Sequence, residues 1–254
     1  MTTLFISDLH LCGQRPAITR LFLDFLQHQA KNAEALYILG DLFEYWIGDE
    51  AASQEHHRPI IDGLRTLARS GTPVFVIPGN RDFLLGIEFE RQTDCRLLED
   101  PMIVDLYGTR VLLMHGDSLC TDDCEYQAFR KMVRSKSWMH AYLAKTLDER
   151  DALFRQYREM SKLATAHKKP EIMDVNQQAV ETVMREHQTY DLIHGHTHRP
   201  AQHVFELDGQ RARRTVLGDW YEHGSVLRCD ANGWVLDTLP LAQPDHTTTA
   251  TPVG

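Results

Sequence analysis

Five short polar blocks each close an apolar run: Asp8-Leu9-His10, Gly40-Asp41, Gly79-Asn80-Arg81-Asp82, His115-Gly116-Asp117 and His194-Gly195-His196-Thr197-His198. They offer carboxylate, amide and imidazole donors and no thiolate, a mix that suits Mn, Fe or Zn better than an all-oxygen Mg or Ca cage. Asp8 and His10 lie two apart on a segment leaving a strand, so both side chains can point the same way, and His196 and His198 repeat that spacing. Asp41 follows Gly40 and Asn80 follows Gly79, where a missing side chain lets the backbone turn tightly and bring a donor inward. Singly, each has a plainer explanation. An Asp after a strand is more often a helix cap, and a lone histidine beside an apolar strand is usually a satisfied one, the reading kept for His194. Together, at successive strand ends, Asp8, His10, Asp41, Asn80, His115, His196 and His198 read as a two-metal phosphoesterase site. Two ions roughly 3.5 to 4 Å apart turn a shared water into hydroxide near neutral pH and act as Lewis acids on a phosphoryl oxygen. Charge growing on that group needs a fixed cation, and Arg81 is the candidate.

Such donors must be carried by elements that bring strand ends together. Thr3 to Ser7, Ala35 to Leu39, Pro73 to Ile77, Arg110 to Met114 and Tyr190 to Ile193 are short, apolar segments that read as strands buried on both faces. Helical spacing of Ile18, Leu21, Phe22, Phe25 and Leu26, and of Ile60, Leu64 and Leu67, separates the first three. Strand and helix in alternation predict a parallel sheet, and ligands gather outside the carboxyl ends of its strands. After Gly195 the segments Gln202 to Leu207, Arg211 to Leu217, Ser225 to Cys229 and Trp234 to Leu239, with turn signals at Asp208-Gly209 and Asn232-Gly233, predict hairpins of a second, more antiparallel sheet. The expected fold class is α/β: two sheets face to face with helices outside, one domain over residues 1–243. Residues 123–187 are helical in pattern throughout and are expected to form a cap insertion, with apolar groups around Phe129, Tyr142 and Phe154. Residues 244–254 lack periodicity and are expected to be a disordered tail.

Composition narrows the partners. The 254 residues, 43% hydrophobic and 25% charged, are those of an ordinary globular protein. The start, Met1-Thr2-Thr3 running into Leu4-Phe5-Ile6, shows no secretory pattern, and no segment approaches the roughly 20 apolar residues of a membrane span. Five scattered cysteines fit reduced thiols in a cytosol, and Cys120 and Cys124 lack the second pair that a zinc site needs. A formal charge of −9 argues against nucleic-acid binding. Between Gln127 and Lys169, however, eleven basic residues face four acidic ones, about +7, so the rest of the chain carries about −16. A basic yet partly apolar segment suits a ligand that is apolar at one end and anionic at the other.

The five blocks in this order resemble the calcineurin-like metallophosphoesterases. The resemblance implies a double β-sandwich flanked by helices (αββα) and a dinuclear centre, with one metal on Asp8, His10, Asp41 and His198 and the other on Asp41, Asn80, His115 and His196. Asp41 would bridge. In the third block, Arg81 stands where the wider family usually carries a histidine that protonates the leaving group. Arginine stays charged and donates no proton. An alkoxide, whose parent acid is nearly as weak as water (pKa about 15.7), would suffer from that loss. A phosphate monoester, with a second pKa of roughly 6, would not. The expected scissile bond is therefore a pyrophosphate.

Longer strings are more specific. Phe5-Ile6-Ser7-Asp8-Leu9-His10-Leu11, Leu39-Gly40-Asp41-Leu42-Phe43-Glu44, Gly79-Asn80-Arg81-Asp82-Phe83-Leu84-Leu85-Gly86, Ile172-Met173-Asp174-Val175-Asn176 and Gly195-His196-Thr197-His198-Arg199-Pro200 are similar to the UDP-2,3-diacylglucosamine diphosphatases of the lipid A pathway. That resemblance covers the chain to about Leu241. It implies water attack on the α-phosphate of a lipid-linked nucleotide sugar, giving UMP and 2,3-diacylglucosamine 1-phosphate. It also implies two Mn²⁺ ions, catalysis by Asp41, Asn80, Arg81 and His115, and substrate contacts from Asn80, Arg81, Asp123, Ser161, Thr165, Lys168 and His196. A monomer in the cytoplasm, peripheral on the inner-membrane surface and without nucleic acid, completes the expectation. Two rivals stand beside it: a nucleic-acid phosphodiesterase, disfavoured by the acidic bulk and by Arg81, and a metal-free scaffold, disfavoured because all seven donor positions are filled.

Overall fold

The computed structural model describes residues 2–165, 168 and 172–241. The chain runs β1 (Thr3–Ile6), α1 (Pro16–His28), β2 (Ala35–Leu39), α2 (Arg58–Arg69), β3 (Val74–Ile77), α3 (Ile87–Thr93), β4 (Arg96–Leu97), β5 (Met102–Leu106), β6 (Thr109–Met114), α4 (Cys124–Val133), α5 (Lys136–Leu143), α6 (Leu147–Thr165), α7 (Gln177–Glu186), β7 (Asp191–His194), β8 (Ala201–Leu207), β9 (Gln210–Val216), β10 (Gly224–Asp230) and β11 (Gly233–Leu239). One sheet has the order β11-β10-β1-β2-β3-β4 and the other β5-β6-β7-β9-β8.

Alternation along the strands explains the layering. Leu4 and Ile6 of β1 pack beneath α1 and α2 with Ile18, Phe22, Ile60 and Leu64, whereas Phe5 between them joins Leu39, Ile77, Leu113, Ile193 and Leu227 in the seam between the sheets. On β6, Leu113 faces that seam, while Leu112 and Met114 face Val180 and Met184 of α7. Strands with an apolar layer on both faces must read as unbroken apolar runs. The expected arrangement of helix, sheet, sheet and helix is present.

Three expectations need correction. The two C-terminal hairpins do not form one sheet. The hairpin β8–β9 turns at Asp208-Gly209 with both φ angles positive (51° and 77°), as a type I′ turn requires, and it extends the second sheet. The chain then crosses over, and β10 pairs antiparallel to β1 (Leu4 opposite Arg228) with β11 at its edge. Trp220 anchors the crossing: it is fully buried, edge-on to Phe22 and Phe25 of α1. The second sheet is in fact mixed, because β6, β7 and β9 run parallel. Secondly, α3, β4 and β5 lie where no element was expected; α3 and β4 hold too few apolar residues for a period to show, whereas β5, Met102-Ile103-Val104-Asp105-Leu106, is an apolar run that does read as a strand. Thirdly, the helical span 123–187 divides. Helices α4, α5 and α6 stand over the strand ends, whereas α7 covers the second sheet. The tail expected at 244–254 lies outside the described residues. Among the described residues no helix is long and apolar enough to cross a membrane.

Candidate metal centre and the cavity above it

All seven expected donors come together above the carboxyl ends of β1, β2, β3, β6 and β7. Asp8, His10 and His198 form one group whose donor atoms lie within 4.8 Å of one another, and Asp8, Asp41 and His115 form a second. His10 Nε2 stands 3.3 Å from His198 Nε2, and His198 Nε2 is 3.3 Å from Asp8 Oδ1. Asn80 Oδ1 is 2.9 Å from both His115 Nε2 and His196 Nδ1. Asp41 turns one oxygen to each side: Oδ2 is 3.9 Å from His10 Nε2 and Oδ1 is 3.8 Å from His115 Nε2. Asp8 also touches both groups, a sharing the sequence pattern assigned to Asp41 alone.

The backbone is bent to achieve this. Among the described residues, nine non-glycine residues have positive φ, and five of them are Asp8, His10, Asp41, His196 and His198. Each left-handed residue costs on the order of 1–3 kcal/mol and persists only where its surroundings over-determine it. Glycine supplies the clearance. A Cβ on Gly40 (φ +89°) would fall 2.2 Å from His115 Nδ1, and one on Gly79 would fall 2.1 Å from Asp41 Oδ1.

Supporting acceptors fix the donors' faces. His115 Nδ1 donates to the Leu39 carbonyl at 2.9 Å, leaving Nε2 for the centre. His198 Nδ1 lies 3.3 Å from Asp219 Oδ2. Asp8 Oδ2 accepts from Ser7 Oγ and from the His196 backbone N–H. Asp82, the last residue of the third block, is not a donor to the centre. It is fully buried and accepts from the backbone N–H groups of Gly79, Asp41 and Phe43, tying the β2 and β3 loops together. His194 keeps the plain role expected of it, buried, with Nδ1 on the Gly195 carbonyl and Nε2 3.2 Å from Arg214.

Electrostatically the cluster is short of positive charge. Burial raises Asp41 to about 7, helped by Asp82 and Asp8 and opposed by His115 and Arg81. Burial alone would lower His115 and His198. Instead the carboxylates of Asp41, Asp8 and Asp117 raise His115 to about 9, and Asp219 and Asp8 raise His198 to about 10. Burial keeps His196, lowered to about 3, and His10, also lowered, as neutral imidazoles. The protons on His115 and His198 supply charge that a bound cation would otherwise bring. Asp8 Oδ1 is buried without a hydrogen-bond partner although it faces the cluster. A carboxylate oxygen so placed, among imidazole nitrogens and an amide oxygen, fits a divalent cation of the borderline class.

The centre opens into a cavity of about 630 Å³. Its floor includes Asn80, Arg81, His196 and His198, and its walls carry Phe83, Phe129, Met132, Trp138, Phe154, Tyr157 and Met160 from the β3 loop and from α4, α5 and α6. Arg81 Nε is buried without a hydrogen-bond partner, 4.0 Å from Asp41 Oδ2. The expected substrate contacts fall unevenly. Ser161 and Lys168 line the cavity. Asp123 lines it too, but it caps α4 by accepting from the Tyr126 N–H, and its carboxylate is paired with Lys168 Nζ at 2.7 Å. Thr165 ends α6, and its side chain lies outside the described residues.

Sequence reasoning missed several partners. Asp117 is no donor to the centre; fully buried, it accepts from Tyr126 Oη at 2.8 Å and Arg130 Nε at 2.7 Å and so clamps α4 over the site. Tyr126 then stacks on His196, with ring centroids 6.0 Å apart. Asp219 had a legible signal, since Leu217-Gly218-Asp219 repeats Leu39-Gly40-Asp41 at another strand end. Glu44 closes the string Leu39–Glu44, but nothing in that string pairs it with His10.

Comparison with known proteins agrees with this geometry. Residues 1–200 match the model of the calcineurin-like phosphoesterase family. The chain is 51% identical over 233 residues to a protein named UDP-2,3-diacylglucosamine hydrolase from Aromatoleum aromaticum, covering 92% of this chain and 95% of that one. It is 50% identical to proteins of the same name from Stenotrophomonas maltophilia (94% of this chain, 99% of that one) and Pseudomonas aeruginosa (95% and 100%). With its blocks in order, its double sandwich and its clustered donors, the chain belongs to the calcineurin-like phosphoesterase family, in the branch that holds these relatives.

Proposed function

We propose that this chain is a metal-dependent pyrophosphohydrolase that cleaves UDP-2,3-diacylglucosamine, releasing UMP and 2,3-diacylglucosamine 1-phosphate. The observation that carries the reading is one cavity with two characters: a donor cluster and the Arg81 guanidinium, whose Nε has no hydrogen-bond partner, on its floor, and aromatic and thioether walls above. A nucleotide sugar bearing two fatty chains has that same polarity. The name shared by the relatives supports it.

Two divalent ions, taken as Mn²⁺, would be held by Asp8, His10, Asp41 and His198 and by Asp41, Asn80, His115 and His196, and they supply Lewis acidity and an activated water. The chain does the rest. The Arg81 main chain is held by its carbonyl, which accepts from the Trp46 N–H at 3.1 Å, and by its N–H, which donates to Asp41 Oδ1 at 2.8 Å, so its guanidinium starts from the cavity floor beside the centre, where it would meet a phosphoryl oxygen. With arginine at that position, the leaving phosphate departs as an anion. Asn80 and His196 border the same oxygens, and Ser161 and Lys168 reach them from the cap. For Asp123 and Lys168 to bind sugar or phosphate, their mutual pair must open. The apolar walls take the acyl chains and exclude water.

The cap rim exposes Met132, Met160 and Leu163 beside Lys131 and Lys162, a surface suited to an anionic bilayer. We place the protein on the cytoplasmic face of the inner membrane as a peripheral monomer; every donor comes from one chain, so the site needs no second copy. The test is hydrolysis of UDP-2,3-diacylglucosamine, bis-p-nitrophenyl phosphate and single-stranded DNA after chelation and after adding Mn²⁺. Mn²⁺-dependent release of UMP from the lipid is expected. Faster turnover of simple alkyl phosphodiesters would remove the pyrophosphate assignment.

A further inference from the structure

The residue that links the metal centre to the cap is not among the seven candidate donors. Glu44 follows the Gly40-Asp41-Leu42-Phe43 turn, and its two oxygens serve different parts of the molecule. Oε2 lies 3.5 Å from His10 Nδ1 and 3.5 Å from an Arg15 guanidinium nitrogen. Oε1 pairs with Arg158 on α6 of the cap. His10 is almost wholly buried, and its Nδ1 has no hydrogen-bond partner. Tyr221 stacks on the His10 ring with centroids 5.2 Å apart, and Arg15 lies over the Tyr221 ring at 4.6 Å, so the imidazole cannot swing toward another acceptor.

A cation held at His10 Nε2 requires the ring proton to sit on Nδ1, where it becomes a donor inside the protein. Among the described residues, Glu44 is the carboxylate within reach of that nitrogen. A few tenths of an ångström convert the 3.5 Å approach into a charge-assisted hydrogen bond. Glu44 is also the ion-pair partner of Arg158, one of the contacts by which the long cap helix meets the β2 loop, beside the Tyr45–Phe154 stack and the Arg150 bond to the Ile47 carbonyl. We propose that Glu44 is a positioning residue that orients His10 for its metal and, through Arg158, makes the docking of α6 depend on metal occupancy. The proposal rests on the metal-centre reading above. Its physical content is that one partly buried carboxylate, with a side-chain exposure of 19%, is shared by a metal-ligating imidazole and a cap arginine. Whatever fixes one partner lowers the cost of fixing the other.

Two substitutions separate the roles. Glu44→Gln keeps an oxygen acceptor for Nδ1–H and loses the charge that holds Arg158; Glu44→Ala loses both. Mn²⁺ affinity of the stripped protein, read by electron paramagnetic resonance of free Mn²⁺, should fall about tenfold to a hundredfold in Glu44→Ala. It should stay within about threefold in Glu44→Gln. Hydrogen exchange of residues 147–165 should slow on adding Mn²⁺ to the wild type. That slowing should vanish in Glu44→Gln and in Arg158→Met. If Glu44→Ala does not fold, Glu44→Asp, which withdraws the carboxylate by one methylene, must show the affinity loss instead. Wild-type affinity in the alanine or aspartate variant overturns the positioning role. Metal-dependent protection of α6 that survives in both Glu44→Gln and Arg158→Met overturns the coupling. A wild type that binds no Mn²⁺ overturns the metal-centre reading itself, and this proposal with it.

Discussion

Loading the centre with Mn²⁺ should expel protons, and the number follows from the geometry. His115 and His198, raised to about 9 and about 10 by neighbouring carboxylates, are both protonated at pH 7 in the stripped protein. His10 and His196 are already neutral and cost nothing. A metal needs neutral imidazole, so about two protons must leave, and Asp41, near 7, adds a fraction of a third. Removing a proton at pH 7 from groups at about 9 and about 10 costs about 3 and about 4 kcal/mol, since each pKa unit is about 1.4 kcal/mol. Apparent affinity for the pair of ions should therefore climb roughly a hundredfold per pH unit between pH 7 and 9. Calorimetric titration of Mn²⁺ in PIPES, HEPES and Tris at pH 7 gives the proton count as the slope of heat against buffer ionisation enthalpy. A slope between about two and about three and a half, the upper part from Asp41 and from ionisation of the shared water, supports the reasoning; a slope below one half refutes it. The same shifts act on stability. Both folded-state values lie above the unfolded value of about 6.5, so this contribution is fully present below about pH 6.5 and lost as pH rises through 9 to 10. The stripped protein should thus lose melting temperature across that window, and Mn²⁺ should abolish the loss.

Asp41→Ala should remove Mn²⁺ from both donor groups, because its two oxygens face different sides; a variant that retains two ions by mass spectrometry contradicts this. Arg81→Ala should keep both ions while kcat falls by about 10²–10³-fold, and normal turnover would take Arg81 out of the mechanism. Asp117→Ala leaves Arg130 and Tyr126 without their buried acceptor and should destabilise the protein by about 3–5 kcal/mol in urea unfolding, with a shift under 1 kcal/mol counting against the clamp. Raising salt should weaken partition onto vesicles rich in anionic lipid, and an unchanged partition would confine the basic cap face to substrate binding.

What the sequence determined was the chemistry and the layers. Donor types are written in the residues, and strand ends are marked by where apolar runs stop, so the seven candidate donors and the parallel run β1-β2-β3 could be read from local pattern. Only the tertiary structure decided which distant segments share a wall. The hairpins at 201–216 and 224–239 have equivalent local signals, and the packing of Trp220 on Phe22 and Phe25 accompanies the second one's return to the first sheet. Asp117 and Glu44 stand inside strings legible in the sequence, but their partners do not. They acquire their roles because the cap brings Arg130 and Arg158 onto them across 13 and 114 residues. A metal donor is selected by its own atoms and its turn, which are local. A supporting carboxylate is selected by what folds against it, and no period or spacing records that.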